Sequence, residues 1–183
     1  MLFRSEIAQR TAEFTSGNSD NGRVGQAFVA AVLEVVYGPS RVVLGNTADP
    51  DASVPGDVQV KDDDGTWLWA EVKQKSVTTG DVEQFVSKVR SVGGERILYC
   101  ALGNERYPHN IDRMRVDRVV NSGPIEIAVF LSPADFLAAF LNLAPGSFNS
   151  VASRLATAMV ARLTEAGCSP ATSEVYRDLI TVI

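Results

Sequence analysis

The sequence predicts an α/β fold, in which a mixed central β-sheet is flanked by helices. An apolar helical segment precedes a group of strand-like segments, and a second amphipathic helix with a buried-type strand follows them. The order helix, strand, strand, strand, helix, strand builds a mixed sheet between helical layers. The 183 residues suit one compact domain with a real hydrophobic core.

We expect the whole chain, residues 1–183, to form one domain in three parts. Residues 1–20 are polar and weakly periodic, which predicts a loosely ordered arm. Residues 22–102 contain the core elements. Residues 103–183 extend the same domain with extra C-terminal helices.

The first core element is a helix predicted from about Gly22 to Tyr37. Its apolar residues recur at helical spacing on two sides, so much of its surface should be buried. Gly38-Pro39 ends this helix. A short strand is expected at Arg41–Leu44, and residues 45–56, rich in Gly, Asn, Asp and Pro, are expected to form a loop.

Residues 57–75 are predicted to form a β-hairpin. Two alternating segments flank an Asp-Asp-Asp-Gly turn signal. A three-residue loop, Asp63–Gly65, places Asp57 opposite Glu71. This register gathers the apolar residues on one face, namely Val58, Val60, Leu68, Ala70 and Val72. The other face receives Asp57, Gln59, Lys61, Trp67, Trp69, Glu71, Lys73 and Lys75.

The later elements alternate between helix and strand. A helix at about Gly80–Val92 has a capping box formed by Thr78 and Asp81, and Gly93-Gly94 ends it. A buried strand is expected at Arg96–Leu102. The prediction is completed by helices at 111–121 and 151–166, a strand at 125–131 and a helix that Ser132-Pro133 begins.

Composition and charge narrow the classes of function. The net charge of −5 counts against a nucleic-acid coat protein but suits carboxylates that hold a divalent cation. His109 is the single histidine, so chemistry that needs two histidines is excluded. Cys100 and Cys168 lack a zinc-like spacing. No apolar run reaches the roughly 20 residues of a membrane span or resembles a signal peptide, so we expect a cytoplasmic protein.

Three side chains on one face of the hairpin form the candidate catalytic site. Glu71 and Lys73 point the same way because they are two residues apart on a strand, and Asp57 is their cross-strand neighbour. Mg²⁺ prefers oxygen ligands, and Asp57, Glu71 and the Val72 carbonyl offer three, with Mn²⁺ as a substitute. The metal would activate water and stabilise phosphate charge, while Lys73 would orient or help deprotonate that water.

The segments Pro55-Gly56-Asp57-Val58 and Glu71-Val72-Lys73 resemble the motif of the PD-(D/E)XK nuclease superfamily. That superfamily includes many restriction endonucleases and junction resolvases, and its core is similar to the order predicted here between Gly22 and Leu102. The stretch from Glu71 to Phe85 resembles SacI-type restriction endonucleases. The resemblance, which covers a little over half of the chain, implies a Mg²⁺-dependent DNA endonuclease of the type II restriction kind.

One position departs from that family. Many members carry a glutamate in the first helix, soon after a glycine, whereas Gly25 is followed here by Gln26. Glu34 lies two turns further along the helix. Gln26 and Glu34 therefore form a possible first-helix site, and both one metal and two metals stay open.

Candidate DNA contacts are found on or next to the hairpin and in a later basic segment. Lys61 and Lys75 would touch phosphates, and Trp69 would stack on bases. Arg113 and Arg115 belong to the most basic stretch of the chain and would enter a groove. The alternatives are a solvated strand edge for the lysines, packing beneath a helix for the tryptophan, and a solvated helix face for the arginines.

The expected partner is DNA, and a palindromic target would call for a homodimer. The chain is short for a complete restriction enzyme of that type, so a larger restriction or defence system is a further candidate partner. Three alternative functions remain open: a catalytically impaired DNA- or partner-binding module, a junction-resolving or repair nuclease, and an α/β interaction protein without chemistry, in which Asp57 and Glu71 would lie apart with no shared cavity. The alternative for the hairpin itself is a surface element with only a cross-strand Asp–Lys salt bridge.

Overall fold

The computed structural model describes residues 2–45, 55–103, 109–120 and 123–181. In these ranges two helices precede three successive strands, helices and strands then alternate, and three helices follow the last strand. Within these ranges the helices are α1 (Leu2–Gly17), α2 (Arg23–Tyr37), α3 (Thr79–Ser91), α4 (Arg113–Val120), α5 (Pro133–Leu141), α6 (Phe148–Glu165) and α7 (Pro170–Thr181). The strands are β1 (Val42–Leu44), β2 (Val58–Asp62), β3 (Gly65–Lys73), β4 (Arg96–Ala101) and β5 (Glu126–Phe130). No described helix combines the length and the apolar character that a membrane crossing requires.

The five strands form one mixed sheet in the order β1-β2-β3-β4-β5. Strands β1, β2 and β3 pair antiparallel, whereas β3, β4 and β5 pair parallel. Parallel neighbours need a crossover connection, and α3 and α4 lie within the two crossovers. The predicted α/β fold with a mixed sheet between helices is confirmed.

An apolar core lies on each face of the sheet, between the strands and the helices that cover them. On one side the apolar face of the hairpin packs with α2, α5 and α6. On the other side α3 and α4 cover a core that contains Trp69, Phe85 and Tyr99. Helix α2 is buried along most of its length, from Val24 to Val35, as its two apolar sides predicted.

The expected N-terminal arm is wrong, because residues 2–17 form helix α1. Its inward face includes Thr11 and Thr15, which are fully buried although they are polar. Each threonine hydroxyl donates to the carbonyl four residues earlier, so burial leaves no unsatisfied donor. Phe14 packs on Tyr176 of α7, with ring centroids 5.0 Å apart. Polar residues on the buried side hide the helical period from a hydrophobicity pattern.

The hairpin turn has two residues instead of the predicted three. Asp62 pairs directly with Gly65, so Asp63-Asp64 form the turn. A β-bulge at Trp67 then inserts one extra residue into β3 and restores the predicted register for the remaining pairs. The bulge also turns Trp67 toward α2, where its ring packs edge-on against that of Tyr37, with ring centroids 5.2 Å apart.

Candidate active site

Asp57 lies just before β2, at the position that the hairpin register places opposite Glu71. Its N–H donates to the Ala70 carbonyl at 2.8 Å, which extends the ladder by one residue. Gly56 has a φ of +90°, and a Cβ there would lie 3.0 Å from the same carbonyl oxygen. The glycine of the Pro-Gly-Asp segment thus allows the close approach that brings Asp57 to β3.

The structure brings the three predicted catalytic side chains together. Lys73 Nζ lies 2.5 Å from Glu71 Oε1 and 3.5 Å from Asp57 Oδ2. Asp57 Oδ2 also accepts a hydrogen bond from the Val72 N–H at 2.8 Å, and its Oδ1 accepts one from Gln26 Nε2 at 2.9 Å. Asp57 is thus held by donors from both α2 and β3.

Partial burial affects the pKa values of Glu71 and Lys73 in this cluster. The side chains of Asp57, Glu71 and Lys73 are 21%, 18% and 28% exposed. Burial and then the Asp57 carboxylate raise the pKa of Glu71. Burial lowers the pKa of Lys73, but the carboxylates of Asp57 and Glu71 outweigh it, and the net pKa is raised. Lys73 is therefore a protonated donor at neutral pH in this arrangement.

The donor set fits a hard divalent cation. Asp57 and Glu71 contact one ammonium and so face a common space that requires positive charge. The N–H and C=O of an extended residue point to the same side, so the Val72 carbonyl lies on the edge where its N–H meets Asp57. Among the described residues no group of three or more His, Cys, Asp or Glu could hold a metal. Two carboxylates and a carbonyl leave the remaining positions to phosphate and water, as Mg²⁺ sites usually do.

The two residues of the possible first-helix site have different surroundings. Gln26 reaches the site through its hydrogen bond to Asp57. Glu34 does not, because its Oε2 lies 2.8 Å from Arg162 Nε of α6. Arg162 is almost fully buried and needs a counterion, a long-range requirement that the sequence does not reveal. The suggestion that Glu34 belongs to the site is therefore wrong.

Replacing Arg162 with methionine is expected to lower the free energy of unfolding by about 3 kcal/mol, because it leaves Glu34 without its partner. The change also removes the donor to the Val42 carbonyl at 3.1 Å. Urea denaturation measures the loss. The matched control is Glu165→Ala, which breaks only the half-exposed second ion pair of Arg162 and should cost at most about 1 kcal/mol. Equal stability of Arg162→Met and the wild type would contradict a structural role for the pair.

The candidate DNA contacts are only partly accessible. Trp69 is buried between β3 and α3, and a Cβ on Gly94 would lie 2.8 Å from its ring. The prediction that Trp69 contacts DNA is wrong, because α3 covers this part of the polar hairpin face. Arg115 is exposed but is paired through two 2.6 Å hydrogen bonds with Glu83 of α3.

The remaining cations are exposed and lie at different distances from the site. The exposed residues are Lys61, Lys75 and Arg113. Lys61 is four residues from Asp57, about 13 Å along the strand. Lys75 follows β3 by two residues. Hydrogen bonds with Thr78 are the main cause of the lowered pKa of Asp81, and the charge of Lys75 lowers that pKa further. Lys75 is thus the candidate phosphate contact nearest to the site in the chain.

Gln74 is a residue near the site that sequence reasoning did not single out. It directly follows Lys73, and its side chain binds the backbone of Gly25, Thr15 and Asn18. The available signal was its position at the end of Glu71-Val-Lys-Gln, one residue beyond β3.

Comparison with known proteins identifies the family. A sequence model of the SacI restriction endonuclease C-terminal domain matches residues 3–104, a range that includes Gln26, Asp57, Glu71 and Lys73. The Type II restriction enzyme SacI of Streptomyces achromogenes is 38% identical over 96 residues, which are 52% of this chain and 26% of that protein. The chain thus aligns with about a quarter of the length of this relative. With its SacI-type resemblance confirmed, the chain belongs to the SacI restriction endonuclease C-terminal domain family.

Proposed function

We propose that the chain is a Mg²⁺-dependent DNA endonuclease of the type II restriction kind, which hydrolyses phosphodiester bonds. The observation that best supports the proposal is the contact of one ammonium, that of Lys73, with the carboxylates of both Asp57 and Glu71. The match of this region to the SacI family supports DNA as the substrate.

The residues of the site have distinct roles in the proposed reaction. Asp57, Glu71 and the Val72 carbonyl would hold Mg²⁺, or Mn²⁺, which accepts the same oxygen ligands. Such a cation supplies Lewis-acid charge and lowers the pKa of water. Lys73 donates to the attacking water or the scissile phosphate, and Gln26 holds the Asp57 carboxylate in place.

An acidic chain binds DNA only through local positive charge. Burial raises the pKa of Glu71, and the charge of Lys88 on α3 lowers it by a smaller amount. Helix α3 therefore presents a cation close to the site. Lys75 adds exposed charge next to β3, and the cation itself reverses the local field. Lys61, Arg113 and Arg115 are the more distant candidates for phosphate contacts.

The family relationship supports a proposal for the wider biological role. We include in the proposal a role in restriction-type defence against foreign DNA, since the related enzyme is a type II restriction enzyme. A two-fold symmetric target would be cut by a homodimer with one site for each strand. A larger restriction system remains a proposed partner.

A second candidate function is a DNA- or partner-binding module that has lost catalysis. The observation that favours it is Gln26, a neutral amide that donates to Asp57. Many members of the superfamily that the chain resembles carry a glutamate at that place. A module of this kind would bind DNA without cutting it. A junction-resolving or repair nuclease would instead cut branched DNA in preference to linear duplexes.

The test is cleavage of supercoiled plasmid DNA with Mg²⁺ or Mn²⁺, with Glu71→Ala run beside the wild type. We expect metal-dependent nicking or linearisation that Glu71→Ala reduces by at least about 100-fold, because the variant removes a charge that acts on the transition state. Glu126→Ala is the matched control, since Glu126 is an exposed strand glutamate on β5. It should cleave like the wild type.

The same assay separates the candidate functions. Discrete fragments indicate restriction, and preferred cutting of four-way junctions indicates a resolvase. DNA binding without cleavage of any substrate would support the binding module. Equal cleavage by Glu71→Ala and the wild type would contradict the proposed site.

A further inference from the structure

One side-chain amide, that of Gln74, joins the end of β3 to both N-terminal helices. Its Oε1 accepts the Gly25 N–H at 2.8 Å, and its Nε2 donates to the carbonyls of Thr15 at 2.7 Å and Asn18 at 3.0 Å. The first N–H groups and the last carbonyls of a helix have no partner within the helix. The N-cap residue of α2 is Gly22, which has no side chain that could cap the helix. Gln74 therefore helps to satisfy the end of α1 and the start of α2.

The packing around this amide depends on a glycine. A Cβ built on Gly25 would lie 3.0 Å from the Cγ, Cδ and Oε1 atoms of Gln74. Any other residue at this position would press against the Gln74 side chain. Gly25 and Gln74 thus form a complementary pair that sets the distance between the first turn of α2 and the end of β3.

This pair is adjacent to the proposed active site along both chain segments. Gln26 follows Gly25 and donates to Asp57 Oδ1 at 2.9 Å, while Lys73 precedes Gln74 and donates to Asp57 Oδ2 at 3.5 Å. The contacts form a closed ring that runs from β3 through Gln74 to α2, through Gln26 to Asp57, and back to β3. A shift of the first turn of α2 would move the donor that orients the Asp57 carboxylate.

We propose that Gln74 is a positioning residue for Asp57, an inference that rests on the proposed function for its catalytic consequence. Gln74 holds the first turn of α2 so that Gln26 keeps the Asp57 carboxylate turned toward the space shared with Glu71. Because its amide already bonds to three backbone groups, its effect would pass through Gln26 and not through contact with substrate or metal. A residue that only stabilised the fold would lower the melting temperature and leave the Gln26–Asp57 hydrogen bond unchanged.

The first measurement uses metal-free protein and needs no activity. The side-chain ¹⁵N–¹H resonances of Gln26, assigned by their loss in Gln26→Leu, are compared in the wild type, Asp57→Ala and Gln74→Met. We expect Gln74→Met to move them toward their positions in Asp57→Ala. Gln9→Met is the matched control, because Gln9 of α1 bonds only to Glu13 among the described contacts, and it should leave them unchanged. Wild-type positions in folded Gln74→Met would overturn the proposal.

A second variant keeps the test decisive if Gln74→Met does not fold. Gln74→Glu retains an acceptor for the Gly25 N–H but loses both donors to the α1 carbonyls, so it should move the Gln26 resonances less far in the same direction. Unchanged resonances in this variant would overturn the proposal when Gln74→Met is unfolded.

The second measurement concerns catalysis. Supporting residues around a metal site typically affect metal affinity or activity by about 10–100-fold. We expect Gln74→Met to weaken Mn²⁺ binding, measured by calorimetry, about tenfold, and to lower kcat for plasmid cleavage with little change in KM for DNA. Wild-type affinity and kcat in this variant would overturn the catalytic part of the inference. If the wild type neither binds metal nor cuts DNA, the proposed function fails, while the resonance comparison still decides whether Gln74 positions Asp57.

Discussion

Replacing Lys73 with alanine is expected to slow DNA cleavage by at least about 100-fold while the protein still binds metal and DNA. The Lys73 ammonium lies within 3.5 Å of both carboxylates and is the donor placed to act on water or phosphate in the transition state. Groups of this kind typically contribute about 10²–10⁴-fold to the rate. Single-turnover cleavage at saturating Mg²⁺ measures the chemical step, and Mn²⁺ calorimetry checks that the metal still binds.

The same variant gives a second, independent result on stability. Without the ammonium, Asp57 and Glu71 repel each other in a partly buried space, so Lys73→Ala should melt at a lower temperature in chelator. Added Mg²⁺ should raise the melting temperature more in the variant than in the wild type, because no ammonium competes with it. Arg177→Ala, a loss of one exposed cation on α7, is the control and should change neither property. Full cleavage activity in Lys73→Ala would remove Lys73 from the mechanism.

The hairpin shows how much of a site a hydrophobic pattern can predict. The sequence placed Asp57 opposite Glu71 because only that register separates the valines from the charges. The predicted turn was wrong, yet the bulge at Trp67 restored the same register. Burial of one whole face involves more free energy than the geometry of an exposed turn, so the pattern decides the pairing and the turn adapts to it.

The errors share another cause, which is that long-range contacts leave no local signal. Thr11 and Thr15 are buried because α5, α6 and α7 pack around α1, and their own hydroxyl bonds allow it. The Glu34 carboxylate accepts a hydrogen bond from Arg162, which lies 128 residues further along the chain. Trp69 lies on the polar face of the hairpin but is covered by α3. Periodicity indicates which side of an element is apolar, whereas the element that covers it is known only from the fold.

Replacing Asp57 with alanine is expected to abolish the rise in melting temperature that Mg²⁺ or Mn²⁺ causes in the wild type. A ligand at about 100 times its Kd stabilises the folded state by about 2.7 kcal/mol. For a chain of this size that corresponds to about 5–10 °C. Asp57 is central to the donor set, because one of its oxygens accepts a hydrogen bond from Gln26 of α2 and the other accepts one from the Val72 N–H of β3. Thermal melts with and without metal measure the difference within each variant.

The matched control is Asp63→Ala, which removes an exposed carboxylate from the acidic turn of the same hairpin. It should keep the whole metal-dependent rise if the cation binds between Asp57 and Glu71. Asp57→Ala also removes the acceptor for the Val72 N–H, so its melting temperature without metal should fall, and only the difference caused by metal is diagnostic. A rise that persists in Asp57→Ala and disappears in Asp63→Ala would place the cation at the acidic turn. The carboxylate pair would then be a structural ion cluster around Lys73, and the hairpin would offer no catalytic metal site.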